Sequence, residues 1–265
     1  METLGTIRLP GAGRSTDAAL HLADIWHQKG ERVLLVDLDP LGRASRSLGL
    51  ERALPGTAAD VLFGRRSLAA ATHVLADGLD LVPASRLLAA FEAFAARDVL
   101  VAKRFGLALA GVAHRYDRAL LFTPPEGGAA LFTTALSVAD AALLFVEPAS
   151  FGFREVEGCV RRIRAAADGR PLPLWMAALG LSERSPLSRN FLVGLRARFG
   201  RHVLRTVVPD GGGRPSRAGH EPLDALADEL HHELSRRLPE SLAVGARRRD
   251  RVVRSEVPVL SAWTP

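Results

Sequence analysis

The first forty residues leave little choice of fold. Thr3–Leu9 is short, apolar and partly β-branched, and Leu9-Pro10-Gly11-Ala12-Gly13-Arg14-Ser15-Thr16 follows as a tight glycine turn. Asp17–Lys29 carries Leu20, Ala23 and Ile25–Trp26 near helical spacing, with Gly30 as a stop. The run Arg32–Val36 predicts a strand buried on both faces, and it ends in Asp37-Leu38-Asp39-Pro40. Strand, turn, helix and strand make a βαβ unit, which aims its first turn, the N–H groups of its helix and two carboxylates at one point. In open α/β sheets that point is where ligands bind, and a helix N-terminus there favours phosphate.

The rest of the chain repeats the theme of a buried strand leaving through a proline, at Pro83, Pro124, Pro148 and Pro209 as at Pro40. This predicts an α/β fold: a doubly wound, mainly parallel sheet with helices on both faces, in a single domain over residues 1–238. Between Pro55 and Arg104 the pattern reads as helices (Thr57–Phe63, Leu87–Ala96 and one near Val99–Val112) around a single strand with its exit turn in Leu79–Ser85. Further strands are expected at Tyr116–Phe122, Leu143–Val146, Leu174–Leu179 and Arg205–Pro209, with helices over Phe151–Ala166, Leu187–Phe199 and Leu223–Leu238. Leu223, Leu226, Leu230 and Leu234 form one stripe that packs the last helix on the sheet. His231 and His232 are adjacent on that helix, so they do not share a face and read as surface histidines.

Together these segments resemble the ParA/MinD-type deviant Walker ATPases, which partition plasmids and chromosomes and position other cargo. That family's turn reads K-G-G-x-G-K-[ST]-T, and its second strand ends D-x-D-P-x-G. Asp37-Leu38-Asp39-Pro40-Leu41-Gly42 matches the second pattern in full, and Gly11, Gly13, Ser15 and Thr16 match the first. The resemblance extends through Leu79-Asp80-Leu81-Val82-Pro83-Ala84 and Tyr116-Asp117…Pro124-Pro125. It implies a P-loop NTPase-like fold, with ATP and Mg2+ as cofactors. Gly11, Gly13, Arg14, Ser15 and Thr16 would hold phosphate, and Pro209 would lie beside the base. Ser15 and Asp39 would face the metal, and Asp37 would stand near the attacking water as the catalytic acid.

Three groups depart from the pattern. The signature lysine falls on Leu9 and the phosphate lysine on Arg14, while the aspartate that ends the Tyr116–Phe122 strand falls on Phe122. Pro10 also replaces a motif glycine, removing an N–H donor and fixing φ. A phenyl ring cannot accept a hydrogen bond from metal-bound water, and magnesium takes oxygen ligands. Asp117 is no substitute, being at the opposite end of that strand. In the structural alternative, Asp37 and Asp39 cap local N–H groups and meet nearby arginines such as Arg14. Two functions stay open: a degenerate ATPase that binds a partner, and a working ATPase that switches between a DNA-bound dimer and a free monomer.

The net charge of +6 comes from arginine, since Lys29 and Lys103 are the only lysines. Arg161, Arg162 and Arg164 form a basic helix face, and residues 239–265 form a basic tail with Arg247, Arg248, Arg249 and Arg251. Both are candidate contacts for nonspecific DNA, the alternative being solvated surface or arginine-rich genome composition. A single cysteine, Cys159, and the absence of a long apolar run or a basic-then-apolar leader point to a cytoplasmic protein without membrane segments. The resemblance adds nucleoid association, a homodimer and a ParB-like or other cargo adaptor as partners.

Overall fold

A computed structural model describes residues 1–50, 55–95, 100–124, 129–148, 152–182, 184–210 and 221–236. The strands are β1 (Glu2–Arg8), β2 (Val33–Asp37), β3 (His73–Ala76), β4 (Leu79–Val82), β5 (Arg118–Phe122), β6 (Ala141–Val146), β7 (Leu174–Leu181) and β8 (Val203–Pro209). They form one sheet in the order β3-β4-β2-β5-β1-β6-β7-β8, parallel throughout except for β3, which runs antiparallel to β4. The doubly wound fold expected from the sequence is the one observed. One detail differs: the segment before Leu79 contributes an edge strand, where a single strand was expected between Pro55 and Arg104. Its alternation is blurred, with Val74 exposed on the sheet's rim, so period-2 patterning gave no signal.

The helices are α1 (Ser15–Gln28), α2 (Arg43–Ser47), α3 (Ala58–Leu62), α4 (Leu87–Ala95), α5 (Val101–Val112), α6 (Ala129–Val138), α7 (Phe153–Ala166), α8 (Pro186–Phe199) and α9 (Glu221–Ser235). They cover both faces, as the pleat requires. In β2, Val33 and Leu35 point to one side and join Trp26 of α1 and the leucine stripe of α9. Leu34 and Val36 point to the other, against α3, α4 and α5. Farther along that second face, Ile7, Leu144 and Met176 meet Val156, Val160 and Ile163 of α7 and Leu195 of α8.

The edge at β8 is covered by α9, whose Glu229 accepts hydrogen bonds from the N–H groups of Arg205 and Thr206 at 2.7 and 2.8 Å. His231 is a surface histidine, its side chain 54% exposed, that also reaches a buried partner. Its Nδ1 lies 2.7 Å from Nη2 of Arg118, a buried guanidinium that also pairs with Glu2 and Glu31 and stacks on Trp26. His232 has no part in that cluster.

Candidate nucleotide site

β1 lies at the middle of the sheet between β5 and β6, so the chain leaves it at the point where the strand order reverses. The turn from Leu9 to Arg14 therefore opens at the carboxyl edge, where a doubly wound sheet binds its ligands. Leu9 is fully buried and its carbonyl accepts the Ala12 N–H at 3.1 Å. Gly11 takes φ +79°, a left-handed conformation open to glycine. The turn folds as a tight connection, and the residue in the signature-lysine position is a core side chain.

The expected nucleotide residues Gly11, Gly13, Arg14, Ser15 and Thr16 all lie on this turn and the first residues of α1. Arg14 precedes α1 and gives it no side-chain cap. The cap comes from elsewhere: Glu147, one residue beyond β6, accepts the Arg14 N–H at 3.1 Å and the Ser15 hydroxyl at 3.3 Å, both on Oε1. The Arg14 guanidinium leaves the turn altogether and pairs with Asp210 at 2.6 Å, next to Pro209 at the exit of β8. The expected meeting of Arg14 with Asp37 or Asp39 therefore does not occur. Geometry explains why: β7 bulges at Gly180 (φ +67°), and a Cβ there would lie 3.0 Å from Arg14 Nη1, so the bulge makes room for the side chain on the β7–β8 side.

Asp37 and Asp39 end β2 with separate tasks. Asp37 is fully buried and accepts three hydrogen bonds, from the Asp39 N–H (3.0 Å), the Ser45 N–H (2.8 Å) and the Ser45 hydroxyl (2.7 Å). Burial pushes its carboxyl up to about 6, against the pull of those donors and with a smaller push from Asp39. Asp39 accepts from the Leu41 N–H at 3.0 Å and from Arg43 Nη1 at 2.6 Å, and Nη2 of Arg8 lies 3.8 Å away. Arg8 is the last residue of β1, and its side chain is only 10% exposed. Its Nη2 has no hydrogen-bond partner. Burial and the neighbouring Arg43 hold this guanidinium below its ordinary pKa, while Asp39 and Glu147 oppose them.

β5 completes the site with an apolar group. The register pairs Asp37 with Phe122, so the ring stands where the family's second aspartate would project. Phe122 is 5% exposed and belongs to the core that packs α1. Arg8, Ser15, Asp37, Asp39, Arg43 and Phe122 line one cleft, with a cavity of about 10 Å³, enough for a single water. Magnesium does not fit this donor set as arranged: the Ser15 oxygen is bonded to Glu147, Asp39 is engaged by Arg43, and β5 offers no oxygen ligand. Among the described residues, no group of three or more His, Cys, Asp or Glu is placed to hold a metal ion.

Arg8, Glu147 and Asp210 were not singled out from the sequence. Glu147 carries a usable signal, an acid directly after a buried strand and before a proline, as Asp39 stands before Pro40. Arg161, Arg162 and Arg164 are exposed on α7, opposite its buried Val156, Cys159, Val160 and Ile163. They lie outside the cleft. The basic tail falls outside the described residues. No described helix is long and apolar enough to cross a membrane.

The strand order, the glycine turn at its reversal point and the paired acids after β2 define a P-loop NTPase-type architecture. Residues 9–170 match the AAA domain family. The chromosome-partitioning ATPase Soj of Thermus thermophilus is 33% identical over 204 residues, covering 75% of this chain and 77% of that protein. The chromosome partitioning protein ParA of Caulobacter vibrioides is 29% identical over 206 residues, 75% of this chain and 76% of that one. Among solved structures, cobyrinic acid a,c-diamide synthase from Mycobacterium smegmatis, with ADP and magnesium bound, superposes with a TM-score of 0.79 at 26% identity. That superposition covers 89% of this chain and 97% of the synthase. The chain belongs to the ParA/MinD-type family.

Proposed function

We propose that this chain serves DNA partition or cargo positioning as a degenerate ATPase, one that binds a partner protein or nonspecific DNA without turning ATP over. The observation that carries this reading is Phe122, a core phenyl ring in register with Asp37 at the position where the family places an aspartate. Phosphoryl transfer depends on positioned charge around the metal and the moving phosphate, and here β5 supplies none. The engagement of Ser15 by Glu147 and of Asp39 by Arg43 points the same way. The family relationship supports the biological process, since its relatives include proteins named for chromosome partitioning. On this reading the partners are a ParB-like or other cargo adaptor, DNA of the nucleoid and a second copy of the chain, all in the cytoplasm.

A second reading, the working ATPase that switches between a DNA-bound dimer and a free monomer, is favoured by the intact frame. Gly11, Gly13, Ser15, Thr16 and the Asp37–Gly42 segment are in place, and the synthase of similar fold holds ADP and magnesium. ATP and Mg2+ would then be its cofactors. Steady-state phosphate release, with and without DNA, separates the two. The degenerate reading expects no release above background, and turnover at the level of an intact family member would replace it with the second. A melting temperature raised by ATP and magnesium would show that nucleotide binds and favour the switching reading, and no shift would favour the degenerate one.

A further inference from the structure

We infer that Glu147 is a built-in ligand of the glycine turn, an autoinhibitory contact in which a carboxylate holds the α1 N-terminus in the place of a phosphate. This rests on the reading of the turn as a phosphate-facing site. The backbone N–H of Arg14 and the hydroxyl of Ser15 both donate to one oxygen of Glu147. A helix start attracts an anion through these same groups, the first free N–H donors and an adjacent hydroxyl. The carboxylate is delivered by sheet register: β1 and β6 pair in parallel with Arg8 opposite Phe145, so the residue after Val146 comes alongside the turn. Glu147 is 9% exposed, so the contact is an enclosed one, where a charge-assisted hydrogen bond is strong.

An independent observation is an incompletely bonded cation in the neighbouring cleft. Arg8 is nine-tenths buried at the end of β1, lines the cleft with Ser15 and Thr16, and has an Nη2 with no hydrogen-bond partner. A buried guanidinium nitrogen without an acceptor is costly, and Asp39, at 3.8 Å, does not complete it. An incoming phosphate oxygen would. It would also meet Glu147 at the helix start, and two anions at one site repel each other. Entry of a nucleotide phosphate therefore requires Glu147 to withdraw. The site is closed by its own side chain, with Arg8 left as the cation that an entering phosphate would satisfy.

The test is calorimetric titration of ATP, and of inorganic pyrophosphate as the phosphate-only probe, into the full-length wild type, Glu147→Gln and Glu147→Ala. Gln keeps the shape and removes the charge, and Ala vacates the place. Both variants should bind both probes at least about tenfold more tightly than wild type, the scale of one charge-assisted hydrogen bond and its repulsion removed. Cooperative melting checks that each variant is folded. Folded variants that bind no more tightly than wild type overturn the inference, and so does a wild type that already binds as tightly as a variant. The degenerate-ATPase reading fails separately, on phosphate release by the wild type. Variants that gain affinity and release no phosphate support both.

Discussion

The guanidinium of Arg14 lies 2.6 Å from the carboxylate of Asp210, so the residue in the phosphate-lysine position is committed to the exit of β8. Both side chains are about half exposed, which makes the pair cheap to break. Asp210→Asn should change unfolding free energy by no more than about 1 kcal/mol. Arg14→Lys should leave phosphate release at background, because a restored ammonium does nothing for the missing carboxylate on β5. Phosphate release from Arg14→Lys at the rate of an intact relative would show that Phe122 is tolerated in catalysis.

Restoring that carboxylate by itself is expected to damage the fold. Phe122 packs against α1 in the core, and its register neighbour Asp37 is already a buried acid. Phe122→Asp both empties a phenyl-sized volume and buries a second carboxylate, at a cost on the order of 4 kcal/mol. Phe122→Leu should cost less than about 2 kcal/mol. Urea denaturation of the two variants provides the comparison, and equal losses would mean that neither the larger cavity nor the buried carboxylate is penalised at this position.

These cases show what the sequence made legible. Periodicity and proline exits located the parallel strands because the central ones, β2, β5, β6 and β7, are largely continuous apolar runs, and the leucine stripe of α9 placed that helix on the sheet. The Asp37–Gly42 motif was readable since its hydrogen bonds are local: Asp37 bonds to Asp39 and Ser45, and Asp39 to Leu41 and Arg43. Glu147 against Arg14, and Arg14 against Asp210, join residues far apart in the chain. Sheet register and a bulge at Gly180 create those contacts, and one sequence carries no direct sign of either. The edge strand β3 escaped for a different reason: three half-exposed residues around an exposed Val74 give no periodic signal.

Asp37 should make stability fall as pH rises through the mildly acidic range. Its carboxyl titrates near 6 in the folded chain and near 3.8 when unfolded, so the native state holds the proton more tightly. The contribution is most favourable below about pH 4 and is lost as pH rises through 6, by on the order of 3 kcal/mol in all. Asp37→Asn has no such titration. The stability of wild type relative to this variant should therefore decline between pH 4 and pH 7 in a urea-denaturation series. A difference that stays flat across that range would refute the assignment.

Arg118 is the buried charge on which the amino edge depends. It pairs with Glu2 at 2.9 Å and with Glu31, stacks over Trp26 at 4.6 Å and donates to His231 of α9. Arg118→Met would leave two partly buried carboxylates without their cation, a loss of about 3–5 kcal/mol. Adding Glu31→Gln should recover part of it, since one stranded charge is then removed. Chemical denaturation of the single and double variants checks this, and no recovery would mean that the stacking on Trp26 dominates.

Nonspecific DNA binding is expected to run through arginine and to ignore nucleotide. Arg161, Arg162 and Arg164 are exposed together on α7, and Arg247, Arg248, Arg249 and Arg251 add charge in residues 239–265. Contacts of this kind go to phosphates, so affinity should fall steeply with salt and vary little with sequence. On the switching reading, ATP would bring two basic surfaces together. Here Leu9 is buried in the core and cannot reach a neighbour's phosphates, so ATP should leave affinity unchanged. Titration of a duplex of arbitrary sequence at two salt concentrations tests this with three proteins: full length, a chain ending at residue 238, and Arg161/Arg162/Arg164→Ala. Removing n phosphate contacts lowers the salt slope by about 0.9n, so the larger drop identifies the surface that holds DNA. Absence of binding by the full-length chain at low salt would leave the arginines as solvated surface.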